Sequence, residues 1–475
     1  MMSQGRKRPN SLSDATGILA VFRPEHRLRA LVIGGGILIH AINVFIVITI
    51  LPSVVRDIGG LPYFAWNTTL YVLASVLAGG VCARILPRVG ARVHYRAALV
   101  VFALGSAICA LAPSMPVLLA GRLMQGLGAG SVSALSYTMV RTLFPAPMWP
   151  TAISVISASW GVATTLGPAF GGMFAGAGMW RWAFWLVAAV APCLWLLVEA
   201  ALPRDLARAP SPTRRMAYLN LAVLCLSVLG VSIGSAGSGV WRNLAGLALA
   251  AGGLGWFVQL ERHGARRLMP VGATRTAAGL GATFAAMMAL VVAVNTEIFV
   301  PYFLQTLHGM APAHAGYLSA LMSFGWTVGA MAVAGAGVRA AQGWMRVGPV
   351  VIAFALAGMA VLMPASGLGA SSIGGLGLCL FAQGLGIGMC WPHICAGVFG
   401  FAPVGEQDLA AASMTMVIMV SNALGSALAG MVSNMAGLAD GGIAGAGAAA
   451  SLLFGGFILA PVGAFMAVRR ILALQ

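Results

Sequence analysis

Charge is what this chain has least of: only 8% of its 475 residues are Asp, Glu, Lys or Arg, and ten of those are acids. A soluble globular surface carries about a quarter charged residues, so this composition excludes an ordinary soluble domain. No HExxH helix, no Gly-x-Ser-x-Gly elbow, no nucleotide loop ending in Lys-Ser/Thr and no clustered carboxylate pair occurs, which argues against an enzyme. The seven cysteines (Cys82, Cys109, Cys193, Cys225, Cys379, Cys390 and Cys395) are odd in number and lack CxxC spacing. They lie in or at the ends of apolar runs, so neither a disulfide framework nor a metal centre is expected, and no cofactor is implied. Period-2 alternation is missing too, and the apolar runs are longer than the roughly ten residues of a barrel strand. The polar segment 1–27 is followed by a full-length apolar run with no small-residue cleavage pattern, so the first helix is expected to stay as an anchor.

What the chain has in abundance is apolar length. Hydrophobic residues make up 60%, glycine contributes 63 positions, and mean hydropathy is +0.93. A spanning helix needs roughly 20 apolar residues. Candidates lie at 29–52, 65–86, 95–113, 116–140, 151–176, 182–202, 216–236, 241–260, 278–306, 313–336, 347–363, 372–399, 409–436 and 447–468. The expectation is an all-α polytopic membrane protein with fourteen transmembrane helices and both ends on one side.

The net charge of +17 would suggest nucleic acid in a soluble protein, but here basic residues are read loop by loop. With the N-terminus inside, 23 of the 27 fall on one face; Arg56, Arg181 and Arg242 fall on the other and Arg122 lies within a span. Both termini are therefore expected in the cytoplasm, with 1–27 as a disordered tail and no nucleic-acid partner.

Three separated motifs recur at one shift of 258 residues. Arg88-Val89-Gly90 returns as Arg346-Val347-Gly348, and Gln125-Gly126-Leu127-Gly128-Ala129-Gly130 returns as Gln383-Gly384-Leu385-Gly386-Ile387-Gly388. Leu166-Gly167 with Gly172-Met173 returns as Leu424-Gly425 with Gly430-Met431. The chain thus divides into a tail (1–27), a six-helix unit (28–202), two inserted helices with basic flanking loops (203–277) and a second six-helix unit (278–475). Parallel six-helix repeats are the architecture of alternating-access carriers, with the ligand site near midplane between the repeats. The glycine hexads sit inside apolar spans and follow no strand, so they read as close-packing faces and not as phosphate loops.

These residues resemble the major facilitator superfamily, and within it the fourteen-helix drug:proton antiporters (DHA2-like). Arg122-Leu-Met-Gln125-Gly126 looks like that group's helix-4 motif, whose arginine is implicated in proton coupling. Gly167-Pro168 with Gly171-Gly172 looks like its helix-5 antiporter motif, and Trp180-Arg181-Trp182 with Phe184 resembles the segment that follows. Pro301-Tyr302-Phe303-Leu304-Gln305 with Gly309 and Ala315-Gly316-Tyr317 resembles the start of the second half. Two customary acids are missing: Asn43 stands where the first-helix motif has Asp, nine residues before Pro52, and Pro87 stands where an acid usually precedes Arg88-Val89-Gly90. The second absence removes an ion pair that often latches the outward-facing state.

Of the ten acids only Glu297 lies well inside a span, two residues after Asn295. Burial in hydrocarbon disfavours a charged carboxylate, so this group suits loading and losing a proton, and its anion would attract a cationic cargo. The plain alternative is a structural carboxyl bonded to helix neighbours. Arg122 maps under the shift to Leu380, so the repeat needs no charge there, and an arginine within the bilayer costs about 2.5–3.5 kcal/mol. It is either a coupling residue or a pin that locks helix 4. His40 and His393 are candidate proton relays or packing histidines. Trp160, Trp326 and Trp391 are candidates to line an aromatic cavity for flat cations, or packing residues. Gln125 and Gln383 are expected to bridge helices, and Pro168 to loosen helix 5.

The leading expectation is an exporter of hydrophobic or amphipathic small molecules in a bacterial inner membrane, exchanging cargo for protons as a monomer in contact with membrane lipid. Coupling rests on Glu297 and Arg122. The cavity set is His40, Asn43, Gln125, Trp160, Asn295, Trp326, Trp391 and His393, and the conformational set is Arg88, Gly90, Gly126, Gly167, Pro168, Gly171 and Gly172. The rivals are a proton-coupled nutrient symporter and an exporter of lipid or envelope precursors.

Overall fold

The computed structural model describes residues 23–145, 148–203, 217–235, 239–264, 267–333, 338–365, 370–439 and 442–474. Most of the 1–27 tail lies outside these residues, as do the basic positions Arg204, Arg208, Arg214, Arg215 and Arg266. The described residues are helical in every regular element. In chain order they form α1 (Arg27–Ile58), α2 (Trp66–Val89), α3 (Ala91–Ala110), α4 (Met115–Leu143), α5 (Trp149–Gly176), α6 (Trp180–Ala201), α7 (Tyr218–Ser235) and α8 (Val240–His263). Then follow α9 (Gly279–Val294), α10 (Val300–His308), α11 (Pro312–Ala332), α12 (Val338–Leu362), α13 (Ala370–Phe401), α14 (Gln407–Met435), α15 (Gly442–Gly456) and α16 (Leu459–Ala473).

Twelve helical rods among the described residues are long and apolar enough to cross a membrane, where fourteen are expected from the sequence. The two that fall short are α4 and α11. α4 carries Arg122, Gln125 and Arg141 together with Gly121, Gly126, Gly128 and Gly130, and α11 opens on Pro312 and His314, which dilutes their apolar content. Both are nevertheless packed inside the bundle, α4 against α2 and α3 and α11 against α13 and α5. Helix ends also differ from expectation. α12 begins at Val338, so Arg339 and Arg346 lie on a helix and not in a link; extending a helix past hydrocarbon costs little where arginine stems snorkel to the interface.

The packing partners repeat helix for helix. α3 meets α4 as α12 meets α13, α2 meets α4 as α11 meets α13, and α1 meets α5 as α9 meets α14. The glycines explain why the spacing recurs. A Cβ on Gly126 would run into the Tyr71 carbonyl of α2, and one on Gly384 into the Met322 carbonyl of α11; Gly128 and Gly386 abut α3 and α12 in the same way. The hexads are therefore helix-packing faces. α7 pairs with α8 and lies against α14, while α8 rests chiefly on α7.

Gly126→Val should lower the melting temperature of the purified protein by several degrees, because overpacking a closed helix contact costs about 1–3 kcal/mol. Unchanged thermal stability would mean that α2 and α4 can part freely. Gly90 is the single residue between α2 and α3, with φ 80° and ψ 159°, a conformation that only glycine adopts without strain.

Candidate functional site

In the first half the polar side chains of five helices meet. Arg122 is 2% exposed, held in place because glycines on α4 bring α2 and α3 close. Its Nη1 donates to Gln125 Oε1 at 2.8 Å, and its Nε donates to the Asn67 carbonyl at 3.3 Å. The guanidinium carbon lies 4.1 Å from the Tyr71 ring centroid. Gln125 Nε2 passes the chain on to Ser106 Oγ of α3 at 2.7 Å. The Tyr71 hydroxyl sits 2.9 Å from His40 Nδ1, and the His40 ring meets Trp160 of α5 edge-on at 5.9 Å. Among the described residues no carboxylate pairs with Arg122. Among the described residues a π face and two carbonyl-type oxygens are the groups that meet its charge. Asn43 adjoins the Tyr71 hydroxyl, yet neither of its polar atoms makes a hydrogen bond of good geometry; the same holds for Asn67.

In the second half the first rod is broken where Glu297 stands. Pro301 has no N–H to give to the Glu297 carbonyl and its ring crowds it, so the backbone tightens. The Val300 N–H bonds to Glu297 instead, and Asn295–Phe299 forms a 3₁₀ turn between α9 and α10. Neighbouring helices clamp that turn. Asn295 Nδ2 donates to the Val291 carbonyl at 2.7 Å and to Asn422 Oδ1 of α14 at 3.1 Å. Gln383 of α13 donates to the Ala293 carbonyl at 3.1 Å and to Thr296 Oγ1 at 3.2 Å. Glu297 itself is partly exposed, and no hydrogen bond or ion pair to its carboxyl is seen among the described residues. Trp326 and Trp391 meet edge-to-face at 5.5 Å across α11 and α13, both half-buried. His393 is half-buried as well, and its Nε2 has no hydrogen-bond partner among the described residues.

Side-chain contacts between the halves gather at the Ile58 end of α1. Ser426 of α14 donates to the Ala65 carbonyl and receives from Thr69, each at 3.1 Å, and Asn434 donates to the Pro62 carbonyl at 2.8 Å and to the Ser235 carbonyl of α7 at 2.7 Å. Phe64 stacks on Phe299 at 4.9 Å. The helix-5 motif faces two ways: Gly167 abuts Phe45 and Gly171 abuts Ile46 and Thr49 of α1 in the same half, while Gly172 abuts Ala313 and Pro168 touches Gly316 of α11 across the seam. α5 runs through Pro168 unbroken. At the same end Asp57 accepts from Trp180 Nε1 at 3.0 Å and Arg181 Nη1 at 2.6 Å, so the Trp-Arg-Trp segment fastens α6 to α1. At the other end Arg88 is exposed, and the carboxylate of Glu199 on α6 pairs with Arg92 and Arg96 of α3.

The structure therefore brings His40, Trp160, Arg122 and Gln125 into one network and Asn295 and Gln383 into another. No ion pair joins Arg122 to Glu297 among the described residues. Tyr71, which links His40 to Arg122, and Asn422, which holds Asn295, went unread in the sequence. The small-residue faces of α4 and α14 say that another helix lies there, but not which of its side chains meets them.

Comparison with known proteins agrees with this architecture. The family profile described as Major Facilitator Superfamily matches residues 33–426. A Mycobacterium tuberculosis protein described as "Probable multidrug-efflux transporter" is 34% identical over 416 residues, covering 86% of this chain and 88% of its own. Among solved structures, a POT family transporter in complex with 5-aminolevulinic acid superposes with a TM-score of 0.68 at 13% identity, covering 97% of both chains. A bacterial homologue of the human lysosomal transporter Spinster gives 0.63 at 14% identity, covering 95% of this chain and 98% of that one. On the family match and the shared length with its relative, the chain belongs to the major facilitator superfamily.

Proposed function

We propose that this chain is a drug:proton antiporter of the fourteen-helix group, exporting hydrophobic or amphipathic small molecules from a bacterial cell. α4 and α11 cross the bilayer with the twelve more apolar rods, both termini lie in the cytoplasm, and 28–202, 203–277 and 278–475 are the two bundles and the inserted pair. The "Probable multidrug-efflux transporter" relative at 34% identity supports the cargo class. The arginine asymmetry supports the orientation.

The observation that carries the reading is Glu297: a partly exposed carboxyl, without a partner among the described residues, on a break in the first rod of the second half. A proton arriving from outside neutralises it and releases a cationic cargo; the proton then leaves inward, with Arg122 biasing its departure electrostatically. We assign His40, Asn43 and Trp160 of one half, and Asn295, Trp326, Trp391 and His393 of the other, to the cargo path that opens as the halves part; His40, Asn43 and Asn295 are buried in this state. Gln125 positions Arg122. Gly126 holds α4 against α2, Gly167 and Gly171 hold α5 against α1, and Pro168 and Gly172 meet α11 on the seam where the halves rock; Arg88 and Gly90 mark the turn at the opposite end. The carrier acts as a monomer on small molecules and protons.

Proton flux tests the reading. In proteoliposomes loaded with a pH dye, adding a lipophilic cation such as ethidium should drive protons opposite to the cargo. Co-movement of the two would make the protein a symporter, and no proton movement would remove the coupling.

A further inference from the structure

At the Arg27 end of the bundle a cavity of about 400 Å³ opens between α12 and α16, lined by Arg346, Phe465, Arg469, Leu472 and Ala473. Its two arginines are exposed, and neither forms an ion pair among the described residues. The repeat makes this informative. The matching corner of the first half, where α3 packs on α6 as α12 packs on α16, also carries two arginines, Arg92 and Arg96, but there Glu199 neutralises both. Under the 258-residue shift Arg346 answers to Arg88, while Arg92 and Arg96 answer to Val350 and Phe354, and neither α12 nor α16 carries an acidic residue. The second half therefore sets one arginine on each of two facing helices that carry no carboxylate, beside an aromatic and an aliphatic wall.

We propose that this groove binds the phosphate headgroup of an anionic membrane lipid, with Arg346 and Arg469 on the phosphate and Phe465 and Leu472 along the start of an acyl chain. The chemistry of the lining selects this occupant. Two guanidinium forks match phosphate oxygens, basic pockets between helices at a membrane face suit anionic headgroups, and the apolar wall offers contact that a free ion leaves unused. The exposed Trp344, two residues before Arg346 on α12, is of the type that sits at headgroup level. Because α12 and α16 both belong to the second half, the lipid would brace that half without touching the polar networks, and the proposal stands whatever the transported cargo.

The test measures melting of the purified full-length chain in detergent with added phosphatidylglycerol, phosphatidylcholine or inorganic phosphate, alongside native mass spectrometry of retained lipid. Phosphatidylglycerol should raise the melting temperature by several degrees more than phosphatidylcholine. R346Q/R469Q should abolish that preference and cut retained phosphatidylglycerol at least fivefold, whereas R470Q, at an exposed arginine outside the groove, should change neither. If the double variant does not fold, R346Q and R469Q singly are read the same way. Three results would overturn the assignment: no preference for phosphatidylglycerol in the wild type, an equal loss in R470Q, or inorganic phosphate stabilising as well as the lipid.

Discussion

Glu297→Gln is expected to erase pH-driven efflux and to weaken binding of a cationic cargo, because the neutral amide stands for the protonated, cargo-releasing carboxyl. A gradient of one pH unit is worth about 1.4 kcal/mol per proton, a factor of ten in accumulation, so the variant should lose at least that ~10-fold enrichment. The amide keeps the size and hydrogen-bonding reach of a protonated carboxyl but cannot release a proton, so it mimics one step of the cycle permanently. The 3₁₀ turn that bears it should survive, because Pro301 imposes that turn and Asn295 and Gln383 hold its flanks. The measurement is dye efflux from proteoliposomes with and without an imposed pH gradient. Gradient-dependent efflux at the wild-type level would exclude Glu297 from the coupling mechanism.

Arg122→Leu is expected to separate stability from transport. The fold has already solved the equivalent position with a leucine: Leu380, its counterpart under the repeat, is fully buried in α13. Removing a buried cation with no anionic partner relieves an insertion cost of about 2.5–3.5 kcal/mol, offset by the lost bonds to Gln125 and Asn67 and the contact with Tyr71. The melting temperature should therefore hold or rise, while gradient-driven efflux falls by about tenfold or more as the field acting on His40 and the cleft disappears. Arg122→Lys keeps the charge but loses the planar fork that spans Gln125 and the Asn67 carbonyl, and should recover only part of the activity. A drop of several degrees in Arg122→Leu would instead make the arginine a structural pin of α4.

How much of this was open to reading depended on the range of the physics involved. The apolar spans were legible because partitioning into a bilayer is set by residues adjacent along one helix. α4 and α11 are counted as apolar spans on the sequence, but their polar and glycine content leaves them outside the twelve rods that are apolar enough to cross a membrane. The repeat was legible because its close-packing glycines are irreplaceable at the backbone contacts they make. The break before α10 had a visible cause in Pro301, four residues after Glu297, but a continuous helix over 278–306 was expected, since many membrane helices absorb a proline without breaking, as α5 does at Pro168. Tyr71 had no signal at all: it lies 31 residues from His40 and 51 from Arg122, and nothing local marks it.

By itself the sequence determined the helical membrane class, the return of three motifs at one spacing and the scarcity of acids that singles out Glu297. Each of these depends on composition or on spacing within one helix or one repeat. Tertiary structure alone decided that His40 and Arg122 share Tyr71, that Glu297 stands on a tightened turn without a partner among the described residues, and that the halves meet through Thr69, Ser426 and Asn434. Those outcomes depend on which faces of several helices come together, and a polar side chain's partner is chosen by that meeting and not by its neighbours in the chain.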